Sequence, residues 1–126
     1  MPETYTISPL VLANLMMAAK KVYPDEFICL VASSPQRPRH ISELVILPAE
    51  FGKTHSQIRL DLSPYDPFVL GIVHSHPSPD MRASSADRNI FARFGKIHLI
   101  LGHPYSLSDF RAYDNQGHRV PLAIIE

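Results

Sequence analysis

The chain has 126 residues, and at roughly 100 to 200 residues per domain that length is read as one compact unit, residues 1–126, with no room for a second catalytic module. Hydrophobic residues make up 45% and charged residues 19%, which excludes a disordered tail protein, a collagen-like repeat and a disulfide-stapled miniprotein. Lys plus Arg number 12 and Asp plus Glu 12, so no global footprint for nucleic acid or an acidic membrane exists, and one cysteine beside seven histidines restricts any metal site to nitrogen and oxygen ligands.

Residues 4–19 carry no charge, but Glu3 precedes them and Ser8, Pro9 and Asn14 interrupt them, so neither a secretory signal nor a membrane span is expected. A cytoplasmic protein, monomeric or weakly oligomeric, is the default reading, and a lone thiol suits a reducing compartment. Ser8-Pro9 followed by Leu10, Leu12, Leu15, Met16, Ala19 and Val22 predicts a helix over 9–22, with a proline at its first position and Pro24 beyond its end. Residues 27–32 form a short apolar run between turn-forming clusters, which suits a buried strand holding Cys29 as a small hydrophobe. Two further strands are expected at 41–47 and 57–62, followed by a turn over 63–67. The run 68–73 reads as a strand leading into His74-Ser75-His76-Pro77. A second helix over 84–94 is closed by Gly95, and strands at 97–101, 109–113 and 119–125 follow, the last two joined across residues 115–117. Helix, strands, helix, strands implies an α/β fold in three layers, a mixed sheet with a helix on either face.

The chemistry centres on His74 and His76. Two residues apart on a helix they would point about 200° from each other, whereas on a strand both imidazoles share one face within reach of one ion. A catalytic zinc usually takes three protein ligands and leaves a fourth position to water. The nearest orderly source of the third is Asp87, in the first turn of the second helix, because residues 77–80 break the strand and let that turn fold back. Ser84 and Asp87 also fit a variant capping box, a competing use of the same carboxylate that would pass some of the capping to Ser85 or Asp80.

The pattern His74-x-His76, seven residues, Ser84, two residues, Asp87 resembles the JAMM motif of the JAB1/MPN/Mov34 metalloprotease family, complete at all four positions and with Pro77 also typical. The family carries an upstream glutamate at the start of an early strand; Glu26, before Phe27 and Ile28, matches it, while Glu43 and Glu50 also lie upstream. The similarity in element order spans residues 5–125 and looks like the compact prokaryotic members, with a layering shared by cytidine deaminases. It implies Zn²⁺ on His74, His76 and Asp87, Glu26 as general base and Ser84 as oxyanion donor. It further implies a substrate that is a ubiquitin-like or sulfur-carrier protein conjugate, cleaved after a C-terminal Gly-Gly. A non-catalytic binding module of the same fold is the alternative, although such members usually lack part of the motif. A zinc deaminase would need Glu where His76 stands, and a Cys pair that one cysteine cannot supply.

The remaining histidines, His40, His55, His98, His103 and His118, lack such spacing and read as surface or packing residues. Gly52-Lys53-Thr54 lacks the leading glycine of a phosphate loop, since Leu47 stands there. Arg37, Arg39 and His40 read as a solvated basic loop, so neither nucleic acid nor membrane is an expected partner.

Overall fold

A computed structural model describes residues 4–46 and 67–126. Along the chain run β1 (Tyr5–Ile7), α1 (Pro9–Val22), β2 (Ile28–Ala32), β3 (His40–Ile41), β4 (Glu43–Val45) and β5 (Val69–His76). These are followed by α2 (Ser85–Arg93), β6 (Ile97–Gly102), β7 (Phe110–Asp114), β8 (Arg119–Val120) and β9 (Leu122–Ile124). The α1 boundaries are those expected. Pro9 occupies the first turn, where its missing N–H costs nothing, and Val11, Leu12, Leu15, Met16 and Ala19 bury one stripe. Among the described residues no helix is long and apolar enough to cross a membrane.

The larger sheet has the order β4-β2-β5-β6-β7-β8, with β5 and β6 parallel and every other pair antiparallel. Side chains alternate across it and build two cores. Cys29, Val31, Val73, Leu99 and Leu101 pack with the α1 stripe, while Ile28, Leu30, Ile72, Ile100 and Tyr113 pack around Phe91 of α2. One helix therefore covers each face of a mixed sheet, as expected. His74 and His76 follow Ile72 in the period-two sequence and so stand on the α2 face. Ser75 turns to the α1 face.

Residues expected as continuous strands split where the chain changes sheets. Over 41–47, β3 pairs with β1 and β4 pairs with β2, with Ser42 between them donating its N–H to the Ala32 carbonyl at 3.0 Å. Over 119–125, β8 pairs with β7 and β9 with β1. Pro121 separates them, and having no N–H it cannot continue a ladder. The result is a second sheet, order β3-β1-β9 and parallel throughout. Its central strand β1 is three residues long and was not foreseen, because so short a segment shows no periodicity. The strand expected at 57–62 and most of the turn after it lie outside the described residues.

At the start of β5 the register shifts: Gly71 faces Val31 but Val69 faces Ala32, leaving Leu70 as the extra residue of a bulge. Gly71 here has a steric reason, since a Cβ would overlap the Ile97 carbonyl. Ile72 N–H donates to His98 Nδ1 at 3.2 Å, and the His98 ring stacks on Phe91 at 4.4 Å. His98 is thus a packing residue. Burial, reinforced by the charge of His74, lowers its pKa to about 4. Cys29 is buried in β2, and burial raises its thiol to about 12, consistent with a purely structural role.

Candidate metal centre

The C-terminal end of β5 and the first turn of α2 bring three of the expected residues together. His74 Nε2 lies 3.0 Å from Asp87 Oδ1, and His76 Nε2 lies 3.5 Å from Asp87 Oδ2. One ligand atom from each of the three falls within 4.8 Å of the others. A tetrahedral zinc with bonds of about 2.0 to 2.1 Å sets its ligands roughly 3.3 Å apart, so the donor set and the two His–Asp87 separations of 3.0 and 3.5 Å fit the ion. His74 and Asp87 are buried and His76 is half-buried.

Local sequence explains the aim of each side chain. His76 Nδ1 donates to the Asp80 carbonyl at 2.7 Å, which fixes a proton on that nitrogen and turns Nε2 toward Asp87. The loop that supplies this carbonyl is chelated by its own Asp80. The Asp80 carboxylate accepts from the Arg82 backbone and guanidinium at 2.9–3.0 Å. Tyr113 Oη donates to the Met81 carbonyl at 2.6 Å and ties the same loop to β7. Phe91 lies behind His74, with ring centroids 6.3 Å apart.

The expected conflict between capping and ligation does not arise. Ser84 N–H donates to Asp87 Oδ2 at 2.8 Å and Asp87 N–H donates to Ser84 Oγ at 3.1 Å, a complete capping box. Asp87 Oδ1 still faces His74, so neither Ser85 nor Asp80 is needed as a substitute. Ser84 is exposed beside the site, and a hydroxyl that accepts the Asp87 N–H has its own proton to give.

The charges follow the geometry. Burial would raise the Asp87 carboxyl, but hydrogen bonds from His74, His76 and the Ser84 N–H overcome it and hold the group well below the usual carboxylate range. Burial lowers His74, whereas the Asp87 hydrogen bond, opposed by burial, raises His76.

Glu26 reaches the site through the sheet. The β2–β5 ladder ends with Ile28 opposite His74, and Ser75 N–H donates to the Phe27 carbonyl at 2.9 Å one step beyond. Glu26 accordingly stands beside His76, whose charged form it stabilises electrostatically. It is half-buried. The other upstream glutamates are elsewhere: Glu43 is exposed on β4, and Glu50 lies outside the described residues. The sequence pointed to Asp80 only as a substitute cap and not at all to Tyr105 or Tyr113; Asp80 offers its carbonyl to His76, and the two tyrosines hold the His76 and Met81 carbonyls at 2.8 and 2.6 Å.

Three comparisons bear on this site. The family model described as prokaryotic homologs of the JAB domain matches residues 9–116. A Haloferax volcanii protein named "Probable metalloprotease" is 29% identical over 117 residues, covering 86% of this chain and 72% of its own length. A JAB1/MPN domain protein from Archaeoglobus fulgidus has a solved structure with 33% identity and a TM-score of 0.76, covering 99% of this chain and 100% of that one. A structure described as JAMM, a metalloprotease-like zinc site in the proteasome and signalosome, matches at 34% identity and a TM-score of 0.76, covering 98% and 100%.

Proposed function

The chain belongs to the prokaryotic JAB-domain family, and from that premise we propose that it is a zinc-dependent peptidase acting after the C-terminal Gly-Gly of a ubiquitin-like or sulfur-carrier protein. The observation that carries this reading is the convergence of His74, His76 and Asp87 ligand atoms within 4.8 Å, with Ser84 hydrogen-bonded to Asp87 and Glu26 next to His76 in the β2–β5 register. Two imidazoles and a carboxylate are a hydrolytic zinc set, and His76 has the outer hydrogen bond such ligands use.

His74, His76 and Asp87 would hold the zinc, which would supply Lewis-acid polarisation of a carbonyl and lower the pKa of water at the site towards about 7. The Glu26 carboxylate takes the proton of the attacking water and returns it to the departing amine nitrogen. Ser84 Oγ–H donates to the carbonyl oxygen as negative charge develops there, while its acceptor side stays committed to the Asp87 N–H. A diglycine tail suits the site, since without side chains it lies extended and threads a narrow approach.

The test is hydrolysis of a Gly-Gly-linked conjugate by the zinc-loaded protein, with and without chelator. The expected result is cleavage that chelator abolishes and zinc restores. Tight binding of the conjugate by metal-free protein without cleavage would instead indicate a non-catalytic module.

A further inference from the structure

The residue between the two histidines has its own chemistry. Ser75 is fully buried and its side chain is on the sheet face opposite the metal ligands. Its Oγ accepts the Phe27 N–H at 2.8 Å, while its own N–H donates to the Phe27 carbonyl at 2.9 Å. A side chain thus adds a rung to the β2–β5 ladder one residue past its last backbone pair, Ile28 opposite His74. That rung immediately precedes the point where Glu26 meets His76. Tyr105, part of the core on that face, donates its Oη–H to the His76 carbonyl at 2.8 Å. Tyr105 is 1% exposed and holds a left-handed backbone, φ 65°, a conformation that non-glycine residues adopt only when their surroundings impose it. Two bonds thus grip the end of β5 and its neighbour: Phe27 N–H to Ser75 Oγ, and Tyr105 O–H to the His76 carbonyl.

We propose that Ser75 is a positioning residue that, with Tyr105, clamps the Glu26–Phe27 backbone to the end of β5 and so sets the Glu26 carboxylate at a fixed place beside the metal ligands. This rests on Glu26 being the general base. The clamp acts on Glu26, which lies just before β2; His74 and Asp87 have separate supports in Phe91 and the capping box.

The experiment compares the zinc-loaded wild type with Ser75→Ala, Ser75→Thr and Tyr105→Phe, reading zinc affinity, amide exchange at Phe27, and kcat and KM on a Gly-Gly-linked conjugate. Ser75→Ala is expected to speed Phe27 exchange by about tenfold or more while β6 amides keep their protection. It should also lower kcat by about 10- to 100-fold, the scale of an ångström-sized misplacement, with KM and zinc affinity within about threefold. Ser75→Thr keeps the hydroxyl and should recover most of the kcat, and Tyr105→Phe should show a smaller loss of the same pattern. An unchanged kcat, or zinc affinity falling in step with kcat, overturns the proposal. If Ser75→Ala does not fold, Tyr105→Phe decides it by the same criteria. Should the wild type cleave no conjugate while Phe27 exchange responds as described, the peptidase reading fails and the clamp stands as a structural device only.

Discussion

Asp87 serves two purposes with its two oxygens, one on the Ser84 amide and one facing His74. Substitutions can separate these purposes. Asp87→Asn keeps an acceptor for the cap but lacks the charge a cation needs, so it should lose zinc binding with little loss of thermal stability. Asp87→Ala should lose zinc binding and also roughly 0.5–2 kcal/mol of stability, the usual cost of losing a cap, measured by urea unfolding of the metal-free protein. Equal stability of the two variants would show that the cap is idle. Ser84→Ala removes both a cap acceptor and the proposed oxyanion donor, and is expected to lower kcat on the order of 10²-fold with zinc retained. The spacing of His74, His76 and Asp87 anticipated that they converge, because the three ride on two regular elements whose geometry is known in advance, and the motif resemblance added Ser84. It did not show how one carboxylate could cap and face a ligand together, which depends on the rotamer that the α2 turn imposes.

At the scale of elements, the approach of β5 to β6 sets where the histidines stand. Gly71 lies in that approach, and Gly71→Ala would drive a methyl group into the Ile97 carbonyl, backbone that cannot swing away. The expected cost is more than about 3 kcal/mol, measured by denaturant unfolding, with zinc affinity reduced as the end of β5 shifts. Wild-type stability in that variant would mean that the two strands are not so closely apposed. Both helices and the principal strands were legible because they are long enough to show a period or an unbroken apolar run. The exchange of strands between sheets at Ser42 and Pro121 was not, since pairing partners are distant in sequence and no residue nearby specifies them. Pro121 alone carried a signal, a residue that cannot donate within a ladder.

For the whole molecule, two cores on opposite faces of one sheet separate what holds the fold from what does the chemistry. The α1 side is apolar and carries Ser75 and Tyr105, whereas the α2 side encloses His98, Phe91 and the ligand cluster. His98 links this architecture to pH. Its folded pKa near 4 lies below the ordinary 6.5, so between those values the unfolded chain takes up a proton that the folded one refuses. Stability from this group is complete above pH 6.5 and falls as pH drops towards 4, by up to about 3 kcal/mol. His98→Gln should flatten that slope in unfolding titrations with chelator present, and an unchanged slope would remove His98 from the account. The central claim, that this cluster is a hydrolytic zinc centre with Glu26 as its base, is tested most directly by comparing wild type with Glu26→Gln. The measurement is zinc stoichiometry together with the rate of Gly-Gly conjugate cleavage. The account predicts one zinc per chain in both proteins and cleavage by the wild type only; equal cleavage by Glu26→Gln, or cleavage by zinc-free wild type, would contradict it.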